Sequence, residues 1–169
     1  MATLIVENGS IVTGANTYVT IAEYTAYAEG FGVTVEDTNA FKIQLIKAAQ
    51  YIASKESQLM GDMVERYQPL SYPRNNLTDL DNFSWQNNEI PTLVKDCQMS
   101  LALDIQAGED LYNLSQSGAV GVKSEEVKGA VKVEYAIADS QRIARHSRSQ
   151  SLLAALMVRG GLGVPLVMG

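Results

Sequence analysis

The chain has 169 residues, 46% apolar and 19% charged, with 13 basic side chains against 19 acidic ones and a net charge of −6. A chain of this size buries most of the surface its unfolded form exposes and is too short for two ordinary domains; one domain with peripheral arms is expected, and wholesale disorder is excluded. No run approaches the roughly 18 apolar residues of a membrane span, and Met1-Ala2-Thr3-Leu4 lacks the basic start of a signal peptide, so no membrane partner and synthesis in the cytosol are expected.

The opening Leu4-Ile5-Val6 reads as a short strand ended by the turn pair Asn8-Gly9. Tyr18-Val19 then leads into Thr20-Ile21-Ala22-Glu23, a capping-box spacing that starts a first helix from about Ile21 to Glu29, stopped by Gly30 and Gly32. Asp37-Thr38-Asn39 offers N-cap side chains for a second helix, in which Phe41, Leu45, Ala48, Ala49 and Ile52 recur at helical spacing as far as about Lys55. Between there and Glu89 the periodicity fades, and Pro69 and Pro73 forbid a continuous helix. A loop of this length in a small domain is expected to reach a partner.

Pro91 suits the first position of a third helix, with Val94, Cys97, Leu101 and Ile105 on one face and Gly108 at its end. Cys97, the lone cysteine, reads as a small core residue within that stripe. A hairpin is expected near 119–136: Val120 and Val122 alternate with polar residues, Lys128-Gly129 turns, and Val131, Val133 and Tyr135 alternate with Lys132 and Glu134. A final helix from about Ser149 to Val158 carries Leu152, Leu153, Leu156 and Met157, and Gly160-Gly161 releases an uncharged, apolar tail over 160–169. Up to Asp139 there are 9 basic and 19 acidic side chains, a balance of −10, whereas Arg142, Arg145, Arg148 and Arg159 beyond it face no acid. The protein is thus an acidic body with a basic C-terminal segment, the pattern of an interaction arm or of one solvated helix face. The fold class that follows is mainly α, a small helical bundle with a β-hairpin and extended N- and C-terminal arms, with 1–159 as the helical domain.

Chemistry finds little support. The only histidine, His146, has no histidine or cysteine neighbour for a metal site, and no nucleophile-elbow motif accompanies it. Gly160-Gly161-Leu162-Gly163 lacks the Lys-Ser/Thr ending of a phosphate loop and follows a helix instead of a strand. The acids Asp79, Asp81, Glu109 and Asp110 lack calcium-loop spacing. Neither an enzyme nor a cofactor is expected. Nonspecific DNA binding rests on Lys and Arg neutralising phosphates, which an acidic chain serves poorly. A single-strand binder would also interleave aromatic and basic residues; Tyr67 and Tyr72 near Arg66 and Arg74 are the one weak instance.

Several segments together resemble a family. Leu4 to Gly9, Gly14-Ala15-Asn16-Thr17-Tyr18-Val19-Thr20, the helix with Tyr27, the aromatic-Pro-Arg element Tyr72-Pro73-Arg74, the helix-opening Ile90-Pro91, the late Val133-Glu134-Tyr135 and a final leucine-rich helix are similar, in this order, to phage proteins labelled DnaT-like single-stranded-DNA-binding proteins. The departures are a tyrosine where the aromatic-Pro-Arg element commonly has tryptophan, and a longer polar stretch from Asn75 to Glu89. Members resemble head-tail connectors that form a ring, typically of twelve copies, beneath the portal; the DNA-binding label then reads as an analogy with a primosome protein. The resemblance implies a virion protein of the neck, a homo-oligomeric ring touching the portal and a tail or next connector protein, with duplex DNA passing through without specific binding. The alternatives are a single-stranded-DNA-binding replication accessory and a tail-completion or stopper subunit. For portal contact the expected residues are Arg142, Arg145, Arg148, Leu152, Leu156, Leu162, Val164, Pro165 and Leu166. For contact with the adjacent subunit or the next ring they are Tyr72, Pro73, Arg74, Val131, Val133 and Tyr135.

Overall fold

In a computed structural model the described residues are 2–34, 38–78, 83–112, 125–127, 131–133 and 148–157. Residues 2–20 form an irregular coil, followed by α1 (Ile21–Gly30), α2 (Thr38–Ser54), a 3-10 turn (Glu56–Gln58), β1 (Asp62–Met63), β2 (Arg74–Asn75), α3 (Thr92–Gln106), β3 (Glu125–Val127), β4 (Val131–Val133) and α4 (Arg148–Leu156). The fold is mainly helical with a small late hairpin, as the sequence predicts. It also holds a second two-stranded ribbon, β1 with β2, inside the stretch expected to be a loop.

The capping box at α1 forms as read: the Thr20 hydroxyl accepts from the Glu23 amide, and the Glu23 carboxylate accepts from the Thr20 amide. The expected strand at Leu4-Ile5-Val6 is reduced to one parallel bridge between Val6 and Thr17. Pro91 is the N-cap of α3 and not its first residue, a shift of one position. The late hairpin pairs Glu125 with Val133, Glu126 with Lys132 and Val127 with Val131 in antiparallel register. Its described first strand is Glu125–Val127; Val120 and Val122, expected in that strand, fall outside the described residues. The Glu125-Glu126-Val127 run has no polar-apolar alternation to reveal it.

α3 is the central element, packed by α2, α4 and α1. Val94, Cys97 and Leu101 are buried on its predicted stripe and Ile105 packs partly buried at its end. They meet Phe41, Leu45, Ala48, Ala49 and Ile52 of α2 in one apolar cluster that extends to Leu153 and Leu156 of α4. Apolar burial of this kind contributes about 25 cal/mol per Å² and is the main force assembling the bundle. Cys97 lies in that core, its thiol pushed up to about 12 by burial, and is a packed apolar residue at neutral pH.

Candidate functional site

Tyr18 and Val19 of the coil, Tyr24 and Tyr27 of α1, Tyr72 and the leucines of α4, all within segments that carry the family resemblance, pack in the same apolar cluster as α3. Tyr18 and Tyr72 are both buried, their rings meet edge to face at 6.2 Å, and the Tyr72 amide donates to the Tyr18 hydroxyl at 3.2 Å. Burial holds the Tyr18 phenol far above its ordinary value; the Tyr72 phenol is pushed up to about 12 by burial, against the pull of the Arg74 guanidinium. Neither phenol ionises near neutrality.

Pro73, joined to Tyr72 by a cis peptide bond, is buried, and Arg74 is 5% exposed. The Arg74 guanidinium donates to the carbonyls of Met60 at 2.8 Å, Gly61 at 2.6 Å and Ser71 at 3.3 Å. A buried cation is tolerated only when its donors are satisfied, and here backbone oxygens do that, folding residues 59–61 and 71–74 around one side chain. Gly61 is required at this turn: its φ is +75°, and a Cβ would stand 2.3 Å from the Asn75 carbonyl oxygen. Tyr72, Pro73 and Arg74 are three of the residues expected at an adjacent subunit or the next ring. Their side chains are spent on the protomer's own interior, because a loop of this length needed an internal anchor for its backbone polar groups.

The N-terminal coil is ordered the same way. Glu7 is buried, and its carboxylate accepts from the amides of Gly9, Ile11 and Val12 at 2.8–3.0 Å. Gln98, fully buried on α3, accepts from the Tyr18 amide and donates to the Thr17 hydroxyl and the Leu45 carbonyl, each at 2.9 Å. One amide group thus joins the coil, α2 and α3. Neither residue stands out in the sequence, where Gln98 is one polar residue in an apolar helix and Glu7 one acid before a turn.

At the other end of the fold, Leu153 and Leu156 of α4 are buried in the core and Leu152 packs partly buried against it. Of the two leucines expected at the portal, Leu156 thus lies in this protein's own core and Leu152 at its edge. Arg148 is exposed but committed to α1: its guanidinium lies 4.8 Å from the Phe31 ring centre and 5.6 Å from that of Tyr27. The Ser149 hydroxyl bonds the Asp104 carboxylate, and the Met60 amide donates to the Leu156 carbonyl at 3.0 Å. Arg142, Arg145, Leu162, Val164, Pro165, Leu166 and Tyr135 lie outside the described residues. Val131 and Val133 are placed on β4 by their backbone.

Two surface features remain. A cleft of about 370 Å³ opens between the coil and the loop before α3, lined by Val6, Asn8, Asn88, Glu89, Ile90 and Lys95 among others. Its two walls touch where Gly9, at φ +102°, approaches Asn88 so closely that a Cβ would sit 1.8 Å from the Asn88 carbonyl oxygen. Lys95 pairs with Glu23 at 3.7 Å and the Glu7 carboxylate is held by three backbone amides, which leaves Glu89 as the acid of the cleft without a partner among the described residues. The second feature is an exposed aromatic-basic pair: Tyr67 is 85% exposed, with the Arg66 guanidinium 5.5 Å from its ring centre. Of the Tyr67, Tyr72, Arg66 and Arg74 group, the structure thus leaves only Arg66 and Tyr67 at the surface. Among the described residues no group of three or more His, Cys, Asp or Glu side chains is placed to hold a metal ion.

No curated protein and no solved structure matches the chain. A family model does, over residues 2–168, and its description reads "Putative DnaT-like ssDNA binding protein". With a match that spans nearly every residue from the coil through α4 and beyond, the chain belongs to this DnaT-like family.

Proposed function

We propose that the protein is a non-enzymatic structural subunit of a tailed-phage virion: a head-to-tail adaptor of the neck, assembled as a ring between portal and tail components, with no cofactor. The observation that supports this over DNA gripping is where the aromatic and basic residues go. Tyr18, Tyr72 and Arg74, the elements of the resemblance best suited to hold a nucleic acid, are buried and build the fold. The surface left around them belongs to a chain with net charge −6, which repels phosphates. A ring subunit around a genome channel benefits from that repulsion, because duplex DNA then slides without being trapped; a strand-binding protein does not. A stopper or tail-completion subunit fits the same physics and differs only in its neighbours.

The family description supports a second reading, single-stranded DNA binding, more directly than it supports the adaptor. Arg66 with Tyr67 is the place where it would act, a base stacking on an exposed ring beside a guanidinium. Fluorescence anisotropy with labelled single-stranded DNA at physiological salt separates the two. The adaptor reading expects no binding at micromolar protein. Micromolar, salt-sensitive binding that Tyr67→Ala abolishes establishes the second reading instead. For portal docking, the tail remains the proposed element, since Leu156 is buried in the core and Leu152 is partly buried against it. Deleting Leu162 to Gly169 should leave the circular dichroism spectrum intact yet prevent the protein from joining portal-bearing heads; normal incorporation would sink that role.

A further inference from the structure

Within the acidic body that precedes Ser140, α2 lies in a long run without acids. From Thr38 to Lys55 the chain contains Lys42, Lys47 and Lys55 and no acid, between Asp37 and Glu56. The helix turns Phe41, Leu45, Ala48, Ala49 and Ile52 into the core, so its opposite face points outward. That face carries Ile43, 41% exposed, with the half-buried Ile46 and the exposed Lys47, Gln50 and Ser54. Among the described residues the one ion pair is Lys95 with Glu23, so Lys42 and Lys47 have no carboxylate partner among them. An outer helix face with two isoleucines and Lys47, with Lys42 at its edge and neither lysine paired among the described residues, is a surface made for an acidic, partly apolar partner.

The same chain offers such a surface elsewhere. The cleft between the coil and the loop before α3 has apolar walls in Val6 and Ile90 and carries Glu89 without a partner among the described residues. α2 contributes nothing to its lining. We propose that the outer face of α2 docks in this cleft on a second copy of the chain, with Ile43 against Val6 and Ile90 and Lys47 against Glu89. The two surfaces are different patches, so the contact is heterologous, and each copy keeps one free face of each kind until a ring closes. Charge complementarity favours this occupant: two α2 faces repel each other, while the acidic body supplies the opposite sign. The proposal rests on the ring reading above and names the interface that a ring needs.

Charge exchange tests it on the full chain. Native mass spectrometry and sedimentation velocity at about 0.1 M salt should show wild-type oligomers, and Lys47→Glu or Glu89→Lys alone should weaken association about tenfold or more, because each sets like charges face to face. The double variant Lys47→Glu with Glu89→Lys should recover association to within about threefold of wild type. Melting curves unchanged from wild type establish that each single variant is folded; a variant that melts early is replaced by Ile43→Ser or Asn88→Lys, which probe the same two faces. Three outcomes overturn the proposal: single variants that associate like wild type, a double variant no better than the singles, or a wild-type chain monomeric at millimolar concentration. Loss of single-stranded DNA binding in Lys47→Glu, with self-association unchanged, overturns it as well and assigns the face to nucleic acid. Rings that form as described but never join virions would refute the adaptor reading and leave this interface standing.

Discussion

The N-terminal coil and α4 both pack on α3, one through polar groups and the other through apolar ones. The coil is held by Gln98, whose amide makes three hydrogen bonds at 2.9 Å, and it is shaped by the Glu7 carboxylate under three backbone amides. α4 is held by Leu153 and Leu156 in the core, with Ser149 on Asp104 and Arg148 on two rings at its start. Hydrogen bonds in a dry interior are directional and costly to leave unmade, so the coil has one path available to it. Apolar contact is non-directional, and a helix held by it keeps its place through total fit. A coil of 19 residues with a single β-bridge can thus be as fixed as a helix.

The largest effect expected is for Gln98→Leu. A leucine fills most of the space but leaves the buried Tyr18 amide without an acceptor and removes the bridge to Leu45 and Thr17, at a cost of about 3–4 kcal/mol in urea unfolding. Leu153→Ala should cost slightly less, about 3 kcal/mol, from lost burial and a partly collapsed cavity. If Gln98→Leu costs under 1 kcal/mol, the coil is held by shape alone and the contrast with α4 disappears.

Much of the bundle was legible in the sequence, because its signals are local and periodic. The α1 capping box, the Phe41 to Ile52 face and the Val94, Cys97 and Leu101 stripe all arise from spacing within one helix, and all stand in the structure. What escaped was long-range and polar. Gln98 meets partners 53 to 81 residues away, and Arg74 meets carbonyls up to 14 residues earlier, separations at which composition carries no phase. The stretch from Lys55 to Glu89 therefore read as a loop seeking a partner, whereas Arg74 gathers its residues 59–61 and 71–74 onto the core. The candidate site was legible in its ingredients and not in their placement. Tyr72-Pro73-Arg74 was singled out, and its burial was not foreseeable from a motif that looks equally suited to a surface. The acid-free run of α2 was visible in the sequence, but its outward lysines mattered only once the helix's buried face was known.

A smaller effect sharpens the α4 half of the comparison. Arg148 is the one charged group that ties α4 to α1, over the rings of Tyr27 and Phe31, and it is exposed. Arg148→Ala should destabilise by only about 0.5–1 kcal/mol, and Arg148→Lys by less. Hydrogen exchange should show the loss confined to the first turn of α4. Loosening across the whole helix would mean that the clasp, and not Leu153 with Leu156, holds α4 in place.

The smallest expected effect lies where the coil enters α1, and it separates a solvated carboxylate from the buried one of Glu7. The Glu23 carboxylate accepts from the Thr20 amide at 2.6 Å and the Thr20 hydroxyl at 2.8 Å, with Lys95 at 3.7 Å. The Thr20 amide is the main reason its acidity is raised, so its folded pKa lies below the ordinary carboxylate value, with partial burial opposing and the Thr20 hydroxyl and Lys95 assisting. A group depressed in the folded state contributes stability that is complete above its unfolded value and disappears as pH falls through the folded one. Because the side chain is about half exposed, solvent screens it, and Glu23→Gln should cost no more than about 0.5 kcal/mol at pH 7. Unfolding free energies of wild type and variant should converge as pH drops below the carboxylate range. High salt should remove the Lys95 share of the gap and leave the share owed to the short bond from the Thr20 amide, since a contact hydrogen bond is screened far less than an ion pair at 3.7 Å. A gap that widens on acidification would reverse the sign of this linkage and show that the carboxyl is held in its protonated form.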